Sequence, residues 1–273
     1  MAHSIAEIVA AVERALPPAM AMPDDPVGVQ IMTEPARTAR TVGVAYEVTE
    51  QVLDRAEEEE VDLLVAFHPL FYPAVRRITN ATRVERCAAR MIRRDTALWI
   101  AHTVFDAHPR GTSHLLAEAV GLNDIVPLEP RTDHSGWGMG AVGTLGRKHS
   151  LAELADVVRS ACNADAVRIS HSTRDDAARE VKRVAVLGGS GMSFYGAAER
   201  AGADVYVTAD VRYHDFHGAN DRIAIIDPGH AETERYVVEG MTTVVAEAVA
   251  ALVDPPRVVP LDLPTNPVRI VVR

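Results

Sequence analysis

The chain has 273 residues, 48% of them hydrophobic and 24% charged, so it can bury a sizeable core without disulfide or metal staples. Its formal net charge of -10, with no basic stripe interleaved with aromatics, argues against nucleic acid as a partner. No run of 18 apolar residues offers a membrane span, Glu7, Glu13 and Arg14 interrupt any signal-peptide core, and the scattered Cys87 and Cys162 fit a reducing compartment, so a cytoplasmic protein is expected.

Ile5, Ile8, Val9, Val12 and Leu16 follow a 3.6-residue period and predict an amphipathic helix stopped by Pro17-Pro18. Residues 19–38, with Pro23, Pro26, Gly28 and Pro35, read as irregular chain with room for one short strand. A strand is expected over Thr41 to Tyr46. Thr49 can cap a helix through Val52, Leu53 and Ala56 into Glu57–Glu60, a run best explained as a solvated face. The apolar run 61–67 predicts a buried strand ending at His68-Pro69. Thr82 and Glu85 have capping-box spacing for a helix reaching Arg94, and a further strand runs from Leu98 to about Val104.

This helix and strand alternation predicts a parallel sheet covered on both faces. From Leu122 to Val142 the pattern turns to Pro, Gly and polar residues, including GWGMG at 136–140. Helices near 149–161 and 192–201 then alternate with strands near 165–169, 182–187 and 204–208, which predicts a second lobe. A strand at Ile223–Asp227, a helix from Glu232 to Ala248 and a Pro-rich tail complete the chain, with the β-rich ending 268–271 expected to return to the first sheet. The expected fold class is α/β, as two interlocked α/β lobes with mostly parallel or mixed sheets: 1–125 with 226–273 returning to it, and 126–225.

The chemistry gathers at strand ends. His68 follows one buried strand, Asp106 follows another, and His230 follows Ile223–Asp227 by three residues, in the region where α/β sheets bind ligands. A helix starting near Gly229 sets His230 and Glu234 four residues apart on one face, within reach of one ion. Imidazole plus carboxylate suits zinc, iron or manganese. Taken singly, His68 reads first as a hydrogen-bonded strand-end histidine and Asp106 as a turn former; their joint placement brings a metal site level with those structural readings.

If the strand stays extended, His102, Val104 and Asp106 share a side, which makes His102 a base behind the metal ligands or a polar group at the rim. TADVRYHDFH at 208–217 supplies Asp210, Tyr213, His214, Asp215 and His217, enough for proton transfer or for an ordinary solvated turn. GGSGMS at 188–193 follows a strand and opens a helix, so its amides could hold an anion; it lacks a Walker lysine and the third glycine of GxGxxG, and a tight turn explains it equally well.

Six segments together resemble one family over nearly the whole chain: PDDPVGVQ at 23–30, VAYEVTEQVLDRA at 44–56, DLLVAFHPLFY at 62–72, AHTVFDAHPRGTSHLLAEAVGL at 101–122, VAVLGGSGMSFYGAAERAGADVYVTADVRYHD at 184–215 and DPGHAETE at 227–234. The resemblance is to the Nif-three-like proteins, commonly called GTP cyclohydrolase I type 2 homologues. It implies a dinuclear metal site in the cleft between two lobes and a ring-shaped homohexamer. His68, Asp106, His230 and Glu234 correspond to the ligands, with Asp106 the carboxylate that touches both ions. The family pattern has a second histidine where this chain has Phe67, which removes a donor from one of the two positions. The length fits the short form of the family, without an inserted domain.

The expected function is therefore metal-dependent hydrolysis of a small molecule, nucleotide-like if GGSGMS faces an anion, with one or two divalent ions per chain and His102 or His214 managing protons. The competing expectation is a non-enzymatic metal-binding, ring-forming interaction protein. A dinucleotide enzyme is disfavoured by its incomplete fingerprint.

Overall fold

Ser4 opens helix α1 (Ile5–Ala15) through a complete capping box, its hydroxyl accepting from the Glu7 amide while the Glu7 carboxylate accepts from the Ser4 amide. The computed structural model to which this helix belongs describes residues 3–170, 180–220 and 222–271. Ile5, Ile8, Val9 and Val12 form the buried stripe expected from their period. Before α1, β1 (His3–Ser4) pairs with β3 (Thr38–Ala39); between them lies β2 (Gly28–Ile31), the short strand for which the sequence left room.

Next come β4 (Thr41–Ala45), α2 (Glu50–Glu58), β5 (Leu63–Ala66), α3 (Arg83–Arg94), β6 (Ala97–Ile100) and α4 (His102–Ala107). Thr49 caps α2 by accepting from the Val52 amide, and Thr82 caps α3 by accepting from the Glu85 amide. The reciprocal half of the second box is redirected, since the Glu85 carboxylate accepts from the Thr79 and Ala81 amides and ties down the preceding loop. The strand expected to reach Val104 stops at Ile100. His102 and Asp106 therefore lie one helical turn apart on α4, so strand alternation does not relate them.

The chain continues through α5 (Thr112–Val120), β7 (Leu122–Pro130), β8 (Gly138–Ser150), α6 (Leu151–Ala161), β9 (Arg168–Ile169), β10 (Glu180–Ser190), α7 (Tyr195–Arg200), β11 (Val205–Ala209), α8 (Tyr213–Gly218), β12 (Ala224–Asp227) and α9 (His230–Thr233), ending with α10 (Val237–Ala250) and β13 (Arg257–Pro260). Residues 122–142, whose composition hid any period, belong to a long antiparallel hairpin of β7 and β8. Its glycines sit where backbones meet: a Cβ on Gly138 would stand 2.3 Å from the Glu129 carbonyl oxygen. The single helix expected over 232–248 is two, α9 and α10. Residues 268–271 form no strand, and the returning strand is β13.

The protein is mixed α/β and forms two compact units, Met1–Phe105 with Val237–Thr265, and Asp106–Tyr236 with Asn266–Arg273. In the first, the sheet order is β13-β4-β5-β6-β2, parallel throughout except for antiparallel β2. Every residue of β4, β5 and β6 is buried, as a sheet covered on both faces requires. In the second, the order is β7-β8-β10-β11-β12-β9, with β10, β11 and β12 parallel and the flanking pairs antiparallel.

Candidate metal centre

In the first unit the hydrogen-bond ladder outlasts β5 by two residues, the Phe67 amide donating to the Ala45 carbonyl and the His68 amide to the Tyr46 carbonyl. Past that point the side chains converge instead of alternating. The Phe67 ring, fully buried, lies 5.0 Å from the His68 ring, 5.7 Å from that of His102 and 5.9 Å from that of Tyr46, centroid to centroid. His68 Nδ1 sits 3.3 Å from Glu47 Oε2, and Arg83 holds the other oxygen of Glu47 at 3.2 Å. Burial pushes the Glu47 carboxyl up, but His68 and Arg83 outweigh it and hold it below the ordinary carboxylate range.

His102 opens α4 with φ +31, a conformation that a non-glycine residue rarely adopts. Its Nδ1 stands 2.8 and 2.9 Å from the two oxygens of Asp25, which also accepts from the Thr103 amide and hydroxyl. Asp25 is pushed up by burial, yet these bonds hold it below its usual range. Asp106 follows one turn later, with its Oδ1 shielded from solvent.

In the second unit the turn Asp227-Pro228-Gly229 launches α9. Asp227, 3% exposed, accepts from the amides of Val211 and Gly229 and pairs with Arg168. His230 Nδ1 lies 2.7 Å from Asp210 Oδ2, and its Nε2 lies 3.1 Å from Glu234 Oε2. Burial pulls the His230 pKa down, but the bonds and charges of Glu234 and Asp210 win and raise it to about 9 in the metal-free protein. His214 stands exposed on α8, its ring 5.4 Å from that of Tyr213.

The glycine-rich turn, a candidate for holding an anion, has its first two amides engaged. Its amides at Gly188 and Gly189 donate to Ser113 Oγ and Thr233 Oγ1, and the Gly189 carbonyl accepts from Thr208. Gly189 has φ +67, and a Cβ there would lie 2.3 Å from Glu234 Oε1 and 3.2 Å from His230 Nε2. The missing side chain is what makes room for the carboxylate and the imidazole.

One donor atom from each of His68, His230 and Glu234 lies within 4.8 Å of the others, and the group could hold a divalent metal ion. The donor set fits: two imidazoles and a carboxylate 5% exposed are ligands for zinc, iron or manganese. Each histidine has a carboxylate near Nδ1, Glu47 Oε2 at 3.3 Å from His68 and Asp210 Oδ2 at 2.7 Å from His230, the outer-shell arrangement that leaves Nε2 for an ion once any proton there is displaced. His102 shares this arrangement through Asp25. The carboxylates of Glu47, Asp25 and Asp210 in this role were not read from the sequence. Glu47 and Asp25 lie in segments already notable for family resemblance, VAYEVTE and PDDPVGVQ, which were the available signal.

A mixed α/β fold with a His/His/Glu grouping beside a strand end defines a class of candidate metal-binding proteins. The profile described as Duf34/NIF3 (NGG1p interacting factor 3) matches residues 3–267, and the chain belongs to that family. Relatives include a "GTP cyclohydrolase 1 type 2 homolog" of Streptococcus pneumoniae, 30% identical over 82% of this chain and 83% of that one, and one of Nostoc sp., 33% identical over 75% of each. Among solved structures, a Bacillus cereus protein related to NIF3 matches with TM-score 0.89 at 23% identity, covering 99% of this chain and 100% of that one. A Thermus thermophilus protein matches with TM-score 0.72 at 26% identity over 96% and 99%.

Proposed function

We propose that this chain is a metal-dependent hydrolase of a small molecule, with His68, Asp106, His230 and Glu234 as ligands of one or two divalent ions. The single observation that carries the reading is the grouping of His68, His230 and Glu234, two of whose rings are already turned by carboxylates. A bound ion would supply Lewis acidity and an activated water. Glu47 and Asp210 hold His68 and His230 with Nε2 as the donor atom. Asp25 holds His102 in the same way, so His102 Nε2 is the atom that accepts a proton, with the exposed His214 as a second proton carrier. The relatives' names bring GTP into the range of substrates to try, alongside nucleotides, phosphate esters and amides. The protein is further proposed to be a cytoplasmic homohexamer; among the described residues no helix is long and apolar enough to cross a membrane.

The test is protein purified without chelator, analysed for metal and assayed with and without it over that panel. Asp106→Ala should lose more metal than His102→Ala, and equal retention in both would remove Asp106 from the ligand set. Light scattering at micromolar concentration should report about six chains, and a stable monomer would end the ring proposal.

A second reading, a non-enzymatic metal-binding and ring-forming interaction protein, is favoured by Phe67. That buried ring contributes no donor where two-metal catalysis needs both ions held. Bound metal without turnover across the panel selects it.

A further inference from the structure

Helix α5, in the second unit, begins at Gly111, which has no side chain to cap it. The first amides of a helix find no acceptor inside it, and an end with protein around it needs one from elsewhere. Here the end is enclosed, with Thr112 2% and Ser113 1% exposed. Ser113 Oγ is already engaged by the Gly188 amide. Thr112 Oγ1, at the first helical position, is buried and has no hydrogen-bond partner among the described residues. An unpartnered hydroxyl therefore stands at an enclosed helix start, where the backbone amides and dipole favour negative charge.

The place of this helix start matters. A Cβ on Gly188 would stand 2.6 Å from Thr112 Cγ2 and 3.4 Å from Glu234 Cγ, so Thr112 and Glu234 border the same glycine. Gly189, the next residue, borders Glu234 Oε1 and His230 Nε2.

We propose that the start of α5 is the anion-holding subsite of the metal centre. The Thr112 hydroxyl and the amides of Thr112, Ser113 and His114 grip a phosphoryl group, and the substrate is a small phosphorylated molecule. This deepens the metal-hydrolase reading and rests on it. Asp210 and Glu234 repel an anion until a cation offsets them, so the grip should strengthen once metal is present.

Inorganic phosphate is the probe, titrated calorimetrically into manganese-loaded protein, with manganese content measured for each variant. Thr112→Val, which keeps the shape and removes the hydroxyl, should weaken phosphate binding about tenfold, and Thr112→Ser should stay within about threefold of wild type. Both should keep their manganese. Thr112→Ala, which removes the hydroxyl with less bulk, should stay folded and weaken phosphate binding to the same extent, and it serves if the valine variant does not fold. Equal phosphate affinity in wild type and Thr112→Val, or no phosphate binding to a manganese-loaded wild type, overturns the subsite and leaves the metal reading standing. Failure of the wild type to take up manganese, zinc or iron overturns the metal reading; phosphate titration of that metal-free protein then decides the subsite, which survives if binding depends on Thr112 and falls otherwise.

Discussion

At the scale of single residues, position 67 is the most informative. Strand alternation would turn Phe67 away from His68, but the two rings lie 5.0 Å apart because the strand is ending there. Phe67→His therefore places an imidazole beside His68 and His102, and is expected to raise metal stoichiometry or tighten a second binding event. The same substitution buries a polar ring in a fully enclosed place, so the metal-free variant should melt at a lower temperature. Elemental analysis and thermal melts check the two halves separately; a destabilised variant with no added metal rejects the lost-ligand account. Readability from the sequence was uneven at this scale. His68, His230 and Glu234, which the structure groups, stand out in the sequence because strand ends and i, i+4 spacing are local facts. Asp25 was missed as the partner of His102 because 77 residues separate them, and no period connects such positions.

At the scale of elements, the turn after β10 joins backbone form to site chemistry. Gly189→Ala should cost about 1 to 3 kcal/mol for the left-handed backbone alone, and its methyl would also displace Glu234 and His230. The expected result is a lower melting temperature together with lost metal, read from a melt and an elemental analysis of the same sample. Normal metal content in the folded variant would show that the carboxylate has room to shift. A second element, α3, is tied to its preceding loop by Glu85, whose pKa is lowered to about 2, first by the Thr79 hydroxyl and then by the amides of Thr79 and Ala81. A depressed carboxyl stabilises the fold above its ordinary pKa near 4.5, and that contribution is lost as pH falls toward 2. Glu85→Gln should therefore lower stability at neutral pH and flatten the acid limb of a melting curve between those values. An unchanged acid limb would mean that the loop is held by other contacts.

Most elements of the first unit were readable from period and caps, since α1, α2 and α3 each present a regular buried face and β5 is an unbroken apolar run. The β7 and β8 hairpin was not readable, because glycines at backbone crossings such as Gly138 and Gly143 take the place of the apolar residues that mark a strand. The end of β6 was also misjudged. Ala101, Val104 and Phe105 are all buried and continue the apolar run, although α4 has begun at His102.

For the whole molecule, metal and stability should be linked through His230. Without metal its pKa is raised to about 9, above the ordinary 6.5, so its ion pairs stabilise the fold below 6.5 and that contribution fades as pH rises through 9. Metal must displace that proton, so the rise in melting temperature on adding manganese should be larger at pH 8.5 than at pH 6.5, within roughly that titration range. Melts at both values with and without the ion check this, and a pH-independent rise would show that His230 is not a ligand. At this scale the sequence misplaced one strand: the one that joins the first sheet beside β4, at 41–45, is β13, at 257–260, and not residues 268–271.

That pairing sets a timetable for synthesis. While the chain is emerging from the ribosome, β4 has β5 on one side and nothing on the other until more than two hundred further residues have been made. The second unit is translated in full before then, apart from its last residues, and its sheet can close first. During that interval β4 is an apolar strand with an open edge, the kind of surface that chaperones cover and aggregates recruit. A nascent chain stalled before Arg257 should therefore need chaperone protection that a released chain containing β13 does not.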